Sequence, residues 1–342
     1  MSKNNNSNIL NVKIKAPTLE DVARVSGLSP ITVSRALNNP QKVKKQTIEK
    51  VKNAVELTGY IPNMLAGGLV SKRSKLIAAA VPQINNTMFA DTMQAISDQL
   101  SQRGYHMLLC LTSYSKKMEE EFVSAVLSRR PDGIVLTGIN HSPSLKKKLL
   151  IANIPIIETW DFTPTPLDML VGFSHEKIGE HIGDFLLNKG YKQFAMIWGD
   201  DERAALRLRG IMHSLSKRNI NDISTHLIPM PATYESGRKG LQYLLSLNKK
   251  FDAIICSSDV LAQGAISEAT KRKIIIPQEL AIMGFGDLNF AKQNSPAIST
   301  VFIDKVYIGK LAADMLVDSI EGKTIANKII DVGFKIIERE TT

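Results

Sequence analysis

At 342 residues with a formal net charge of +10, the chain has room for two or three domains and can bury a core without disulfides or metals. The charge is lopsided: residues 1–75 hold thirteen Lys and Arg against four Asp and Glu, a net +9 that leaves only +1 for residues 76–342. A basic head on a nearly neutral body points to a polyanion met by the head alone. The only cysteines, Cys110 and Cys256, sit in apolar runs and read as buried thiols of a reducing compartment. The Asn-rich N-terminus lacks the apolar core of a signal peptide, and no run approaches the roughly 18 apolar residues of a membrane span. The composition therefore argues against a secreted disulfide scaffold or a membrane protein and predicts a cytoplasmic one.

Residues 1–15 are polar without apolar period and predict a disordered tail. A three-helix unit is expected over 16–62. Thr18 can cap a first helix whose apolar positions Leu19, Val22, Ala23 and Val25 recur at helical spacing, and Gly27 permits the positive φ that ends it. Ser29 can cap a second helix, with Pro30 suited to its first turn. Val33, Ala36 and Leu37 then face inward, leaving Ile31, Thr32, Ser34 and Arg35 outward. Two short helices joined by a glycine turn, the second presenting hydroxyls and an arginine, form a helix-turn-helix DNA reader. A third helix is expected from about Lys45 to Thr58, with Ile48, Val51, Val55 and Leu57 inward and Gly59 as its stop.

Residues 63–75 follow as a junction. Their 63–70 stretch has the pattern of one or two helical turns, but Gly67 and Gly68 each cost about 1 kcal/mol relative to Ala. A helix so short needs an organiser, such as DNA and a partner chain; a flexible linker is the alternative. From 76 to 342 strands and helices alternate. Strands are expected at Leu76–Val81, Tyr105–Leu111, Gly133–Thr137 and Ile154–Glu158, with helices near Phe89–Arg103, Lys116–Arg129 and Ser144–Ala152. After Thr163-Pro-Thr-Pro166 the pattern restarts with strands near Met169–Gly172, Phe194–Trp198, Thr225–Ile228, Ala253–Cys256 and Ala281–Gly284. Helices near 175–189, 203–218, 234–247 and 259–272 separate them. The pattern predicts two similar α/β lobes with parallel sheets and a ligand cleft between them. A last helix, Asp304–Ile320, and a terminal strand, Lys328–Ile336, are expected to return across both lobes. No heptad repeat follows for higher assembly.

No catalytic, metal or cofactor constellation survives inspection. Gly284-Phe-Gly286 lacks the third glycine of a dinucleotide loop, and no glycine-rich stretch ends in Lys-Ser/Thr to cradle phosphate. His175-Glu176 has no histidine four residues on, and the six histidines do not cluster, so surface or helix-cap roles are expected for each.

Thr-Val-Ser-Arg at 32–35, Gly-Tyr-Ile-Pro-Asn at 59–63 and the Asp259…Gly264 segment after a strand resemble the LacI/GalR family of bacterial repressors, over essentially residues 17–338. The resemblance implies a helix-turn-helix headpiece joined to a two-lobe, periplasmic-binding-protein-like (type I) effector domain. It implies operator contacts from Thr32, Ser34 and Arg35, with Pro30 and Ile31 where the family varies its base reading and Thr18, Asn38 and Thr47 completing the set. Neither Pro30 nor Ile31 offers a side-chain hydrogen bond, so apolar contact with a thymine methyl, or a larger burden on Arg35, is expected there. Tyr60 and Asn63 match positions that meet phosphate or orient the hinge, and Ala66 and Leu69 match a hinge helix that opens the minor groove.

In the cleft, Arg207 matches the family's ligand-gripping arginine, Ser258 precedes Asp259 where an Asn often contacts sugar hydroxyls, and Phe89, Thr137 and Trp160 match pocket-lining loops. Ala232 replaces an aromatic platform and Gly286 an aspartate, while Arg203, Arg207 and Lys305 are expected to point at one pocket. Losing an acid and a ring platform while keeping cations favours an acyclic anion; pairing of those cations with Asp200, Asp201 or Glu202 is the alternative. Ile156–Asp161, Leu167–Phe173, Asp201–Arg203 and Ile330–Phe334 look most like the gluconate-utilisation repressors. The resemblance thus implies a homodimer that binds a palindromic operator and releases it to a sugar acid such as gluconate. Another sugar or phosphorylated sugar acid, or corepression, stays open. A solute-binding protein of the same fold would have no use for residues 18–38, and an enzyme would need a reactive group that the cleft residues lack.

Overall fold

A capping box opens the first helix. The Thr18 hydroxyl accepts from the Asp21 amide at 3.4 Å while the Asp21 carboxylate accepts from the Thr18 amide at 2.9 Å, so two orphan donors are satisfied reciprocally. Helix α1 (Leu19–Ser26) ends at Gly27, whose φ of +67° is open to glycine at little cost. Helix α2 (Pro30–Asn38) starts from Ser29, which accepts from the Thr32 amide at 3.2 Å. A 3-10 turn, Pro40–Lys42, leads to α3 (Lys45–Thr58), which Gly59 closes in the left-handed conformation.

Val22, Ala23, Val33, Ala36, Val51 and Ala54 form the small core of this unit. Two expected core residues are outside it. Leu57 is 79% exposed because it lies about 240° round the helix from Val51, and Val25, at the rim of the short α1, is 47% exposed. Ile48 is half-buried, and Ala54 fills the inward place instead.

The computed structural model describes residues 16–61, 73–85 and 87–342. The hinge pattern at 63–70 therefore lies outside the described residues, and Asn63, Ala66 and Leu69 with it. By its contacts the chain divides into two units, Met1–Ser74 and Lys75–Thr342.

The second unit alternates strand and helix: β1 (Leu76–Val81), α4 (Thr87–Gln102), β2 (His106–Leu111), α5 (Lys116–Leu127), β3 (Gly133–Thr137), α6 (Pro143–Ala152), β4 (Ile156–Thr159) and β5 (Met169–Gly172). Then come α7 (His175–Asn188), β6 (Phe194–Gly199), α8 (Glu202–Ser216), β7 (Ser224–Ile228), α9 (Tyr234–Ser246), β8 (Ala253–Cys256), α10 (Asp259–Lys271) and β9 (Ala281–Met283). The chain finishes with β10 (Thr300–Phe302), α11 (Lys305–Ile320), β11 (Ile329–Asp331) and β12 (Lys335–Ile337).

One parallel sheet runs β11-β5-β4-β3-β1-β2 and the other β7-β6-β8-β9, while β10 and β12 pair antiparallel. Two expectations change. β5 belongs to the first sheet, beside β4, so the lobes divide after Gly172 and not at the Pro-rich stretch. The expected terminal strand is two strands in different sheets, β11 against β5 and β12 against β10, with Gly333 at φ +68° breaking them. Helix α11 returns to pack on α4 and β3–β5 of the first lobe. Three short crossings, Gly172 to His175, Phe302 to Lys305 and Asp331 to Lys335, thus join the lobes.

A single apolar cluster runs from Ile77, Val135 and Trp160 in one lobe to Met196, Trp198 and Phe285 in the other. Cys256 is buried as expected, but Cys110 is only half-buried because β2 is an edge strand.

Candidate functional site

On the first unit, α2 presents a polar outer face. Pro30, Arg35 and Asn38 are exposed, Ile31 is 72% exposed, and Thr32 and Ser34 are half-buried. Thr32 shares a hydroxyl hydrogen bond with Ser29 at 2.9 Å, and the Asn38 amide donates to the Ser34 hydroxyl at 3.2 Å. The Arg35 guanidinium has no hydrogen bond or ion pair among the described residues, so its full donor fork is free. Thr18 spends its hydroxyl on the α1 cap; Thr47 and Tyr60 are half-buried.

In the second unit, a cavity of about 140 Å³ opens between the lobes. Phe89, Trp160, Arg203, Arg207 and Ser258, the positions the resemblance brings to the cleft, all line it. Each is placed by an element end. Trp160 follows β4 at φ +67°, Ser258 caps α10 from the end of β8, and Asp201 caps α8, accepting from the Arg203 and Ala204 amides at 3.0 Å. The cap sets the start of α8 at the cleft, with Arg203 in its first turn and Arg207 one turn on.

Arg207 is 5% exposed, and its Nη1 donates to His175 Nδ1 at 2.9 Å and Nη2 to the Ser257 carbonyl at 3.2 Å. No carboxylate lies within ion-pair distance of it among the described residues. Burial brings its pKa down to about 10, with the Asp201 charge opposing that fall, so the group stays cationic at neutral pH. A buried cation held only by neutral acceptors is costly until an anion joins it. Its guanidinium stacks 4.0 Å from the Phe285 ring centroid.

Arg203 behaves differently. It donates to the Thr137 carbonyl at 2.9 Å and lies 3.9 Å from Asp161, reaching from the second lobe to the first. Thr137 lines a neighbouring cavity of about 210 Å³ that shares Tyr114, Asp201 and Arg203 with the first. Lys305 does not line the cleft cavity. Its ammonium is buried against the Gly286 and Asp287 carbonyls, both at 3.0 Å, and ties down that loop. The expectation of three cations in one pocket is therefore corrected to two, because the first turn of α11 faces the loop after β9. Gly286 sits at φ +121°, and a Cβ there would meet Met88 Sδ at 2.8 Å, so Met88 fills the room an aspartate would need.

Sequence reasoning missed Tyr114, Met88, Ser257 and His175, which also line the cavity. Tyr114 keeps its proton, its pKa pushed up to about 12 by burial and by Asp201. His175 was expected at the surface or as a cap; it is buried, its pKa lowered well below the usual imidazole range by burial and by the Arg207 and Arg203 charges. His141 is also buried, 2.9 Å from Glu119 and 3.2 Å from Glu158. Burial opposes its charge, but the two carboxylates outweigh that and push its pKa up to about 9. None of these has a motif signal, since each is brought to its place by a distant strand end.

A helix-turn-helix unit followed by a two-lobe clamp with a charged cleft is the architecture of a DNA-binding regulator with an effector-binding domain. The family description "Bacterial regulatory proteins, lacI family" matches residues 18–63, and "Periplasmic binding protein-like domain" matches residues 184–342. The HTH-type transcriptional regulator GntR of Pseudomonas aeruginosa is 33% identical over 95% of this chain and 96% of its own length. The HTH-type transcriptional regulator IdnR of Escherichia coli is 30% identical over 95% and 98%. A LacI-family regulator structure from Silicibacter pomeroyi superposes with a TM-score of 0.90 at 28% identity, covering 95% of this chain and 99% of that one.

The chain belongs to the LacI family of bacterial transcriptional regulators: it is a DNA-binding regulator with an effector-binding domain, in a non-enzymatic family that works in the cytoplasm. No helix among the described residues is long and apolar enough to cross a membrane.

Proposed function

We propose that this regulator is a homodimeric repressor of sugar-acid use that leaves a palindromic operator when a small sugar acid such as gluconate enters the cleft. The carrying observation is Arg207, a buried cation without a carboxylate partner among the described residues, with three of its five N–H groups left for a ligand. A carboxylate accepts two of them side by side, the geometry that favours arginine over lysine. The cavity, about 140 Å³ and sharing Tyr114, Asp201 and Arg203 with the neighbouring 210 Å³ one, has room for a small ligand. Two cleft departures support the same class: Ala232 offers no ring to stack on, and the Gly286 position has no acid.

Pairing of two copies is supported by the edge strands. Leu108, Leu109 and Leu111 on β2 and Leu227 on β7 are 36–57% exposed, apolar edges that a protein covers in its working assembly. Operator contact is assigned to Arg35, Thr32, Ser34 and Ile31, with Asn38, Pro30, Thr18, Thr47 and Tyr60 around them. Release requires only that the sugar acid bind the non-operator arrangement more tightly, since its differential affinity sets the shift.

Thermal shift of the purified protein against sugar acids and neutral hexoses tests the class. Gluconate at 100 times its dissociation constant should add about 2.7 kcal/mol of stability, and Arg207→Ala should abolish that gain while sparing operator binding. Stabilisation by hexoses alone would overturn the sugar-acid reading.

A further inference from the structure

We infer that His175 is the positioning residue of the effector site: a neutral acceptor that aims the Arg207 guanidinium into the cleft and ties that aim to the closure of the lobes. The inference rests on Arg207 being the effector's anchor, and adds what holds the anchor in place.

His175 is the first residue of α7, directly after the crossing from β5, so its backbone belongs to the second lobe. Its ring reaches back to the first lobe, where Nε2 lies 2.9 Å from the Trp160 carbonyl. A carbonyl only accepts, so Nε2 carries the proton and Nδ1 presents its lone pair, and that lone pair faces Arg207 Nη1 at 2.9 Å. One ring thereby bridges a backbone atom of one lobe and the guanidinium of the other.

A neutral imidazole suits this task better than an acid. A carboxylate at the same point would orient the guanidinium but also neutralise it, and would compete with an incoming anion. The imidazole orients without neutralising. Low exposure and two cationic neighbours keep it so.

The spacing is set by main chain, not by flexible side chains. Gly179 on α7 lies where a Cβ would run into the Arg207 carbonyl, and Gly210 on α8 where one would run into the Glu176 carbonyl. The two helices therefore touch backbone to backbone beside the His175–Arg207 pair. The ring itself is wedged between Phe173, 4.8 Å between centroids, and Phe285, 6.3 Å. Rotation of the lobes about the Gly172–His175 crossing moves the Trp160 carbonyl relative to α7. The Nε2 tie is then lost, and with it the anchor that holds the ring, and so its Nδ1 lone pair, toward Arg207.

The test is calorimetric titration of the full-length protein with D-gluconate, comparing wild type with His175→Asn and His175→Leu. Asn places its amide oxygen close to the Nδ1 position, so its affinity should stay within about threefold of wild type, whereas Leu should lose at least about tenfold. Equal losses for Asn and Leu, or wild-type affinity for Leu, would overturn the inference. If wild type does not bind gluconate, the sugar-acid reading alone fails, and 15N NMR of the His175 ring decides the inference. An unprotonated Nδ1 whose resonance moves in Arg207→Met supports it; an Nδ1–H tautomer, an imidazolium at neutral pH, or an unmoved resonance sinks it.

Discussion

Arg35 and Arg207 are the same side chain in opposite settings. Arg35 stands exposed on a nine-residue helix, its donors free to water. Arg207 is 5% exposed, one turn into a fifteen-residue helix, held by an imidazole and a carbonyl from other elements. The first needs little around it and is strongly screened by salt. The second is made by its surroundings, since desolvation strengthens its field and also makes its unpaired state costly. The comparison teaches that a polyanion is met with many cheap, exposed charges, whereas a small anion is met with one expensive, oriented charge.

Salt separates the two most sharply. Raising it from 50 to 200 mM should weaken operator binding by about 10³–10⁵-fold if six to ten phosphates are neutralised, while gluconate affinity at the buried Arg207 changes far less. Parallel salt slopes in the two titrations would erase the contrast. The next largest effect belongs to the body alone. His141→Ala strands Glu119 and Glu158 without their cation and should cost about 3–5 kcal/mol in chemical denaturation.

The same group gives wild type a pH signature. Its folded pKa of about 9 stands above the ordinary 6.5, so the stability it contributes is complete below pH 6.5 and is lost as pH rises through 9. Denaturation midpoints that stay flat across that window would argue against a charged His141. Arg35→Ala should cost about 1–3 kcal/mol of operator affinity, read by fluorescence anisotropy, and leave the melting temperature nearly unchanged. Smallest, Ser29→Ala removes the α2 cap and should cost about 1 kcal/mol of stability in the first unit.

How much was legible follows the same division. Caps and stops are local, so Thr18, Gly27, Ser29 and Gly59 were readable from the residues beside them, and their helices begin and end as expected. The bounds of β1, β3, β5 and β8 were likewise readable as apolar runs. The cleft was half legible: Phe89, Trp160, Arg203, Arg207 and Ser258 line it, but Lys305 turned to the Gly286 and Asp287 carbonyls instead. Spacing along the chain says which face of a helix a lysine takes, not which carbonyl waits there. His175 escaped notice because its partners, Trp160 and Arg207, lie 15 and 32 residues away.

The amino-acid order alone determined a basic three-helix head, an alternating α/β body and a recognition helix with an outward arginine, because each depends on contacts within a few residues. Tertiary structure decided which lobe owns β5, how the C-terminal strand splits between sheets, and that Arg207 meets a neutral ring and a backbone carbonyl. Those outcomes depend on strand ends and helix faces brought together by the whole packed core, and no local rule encodes them.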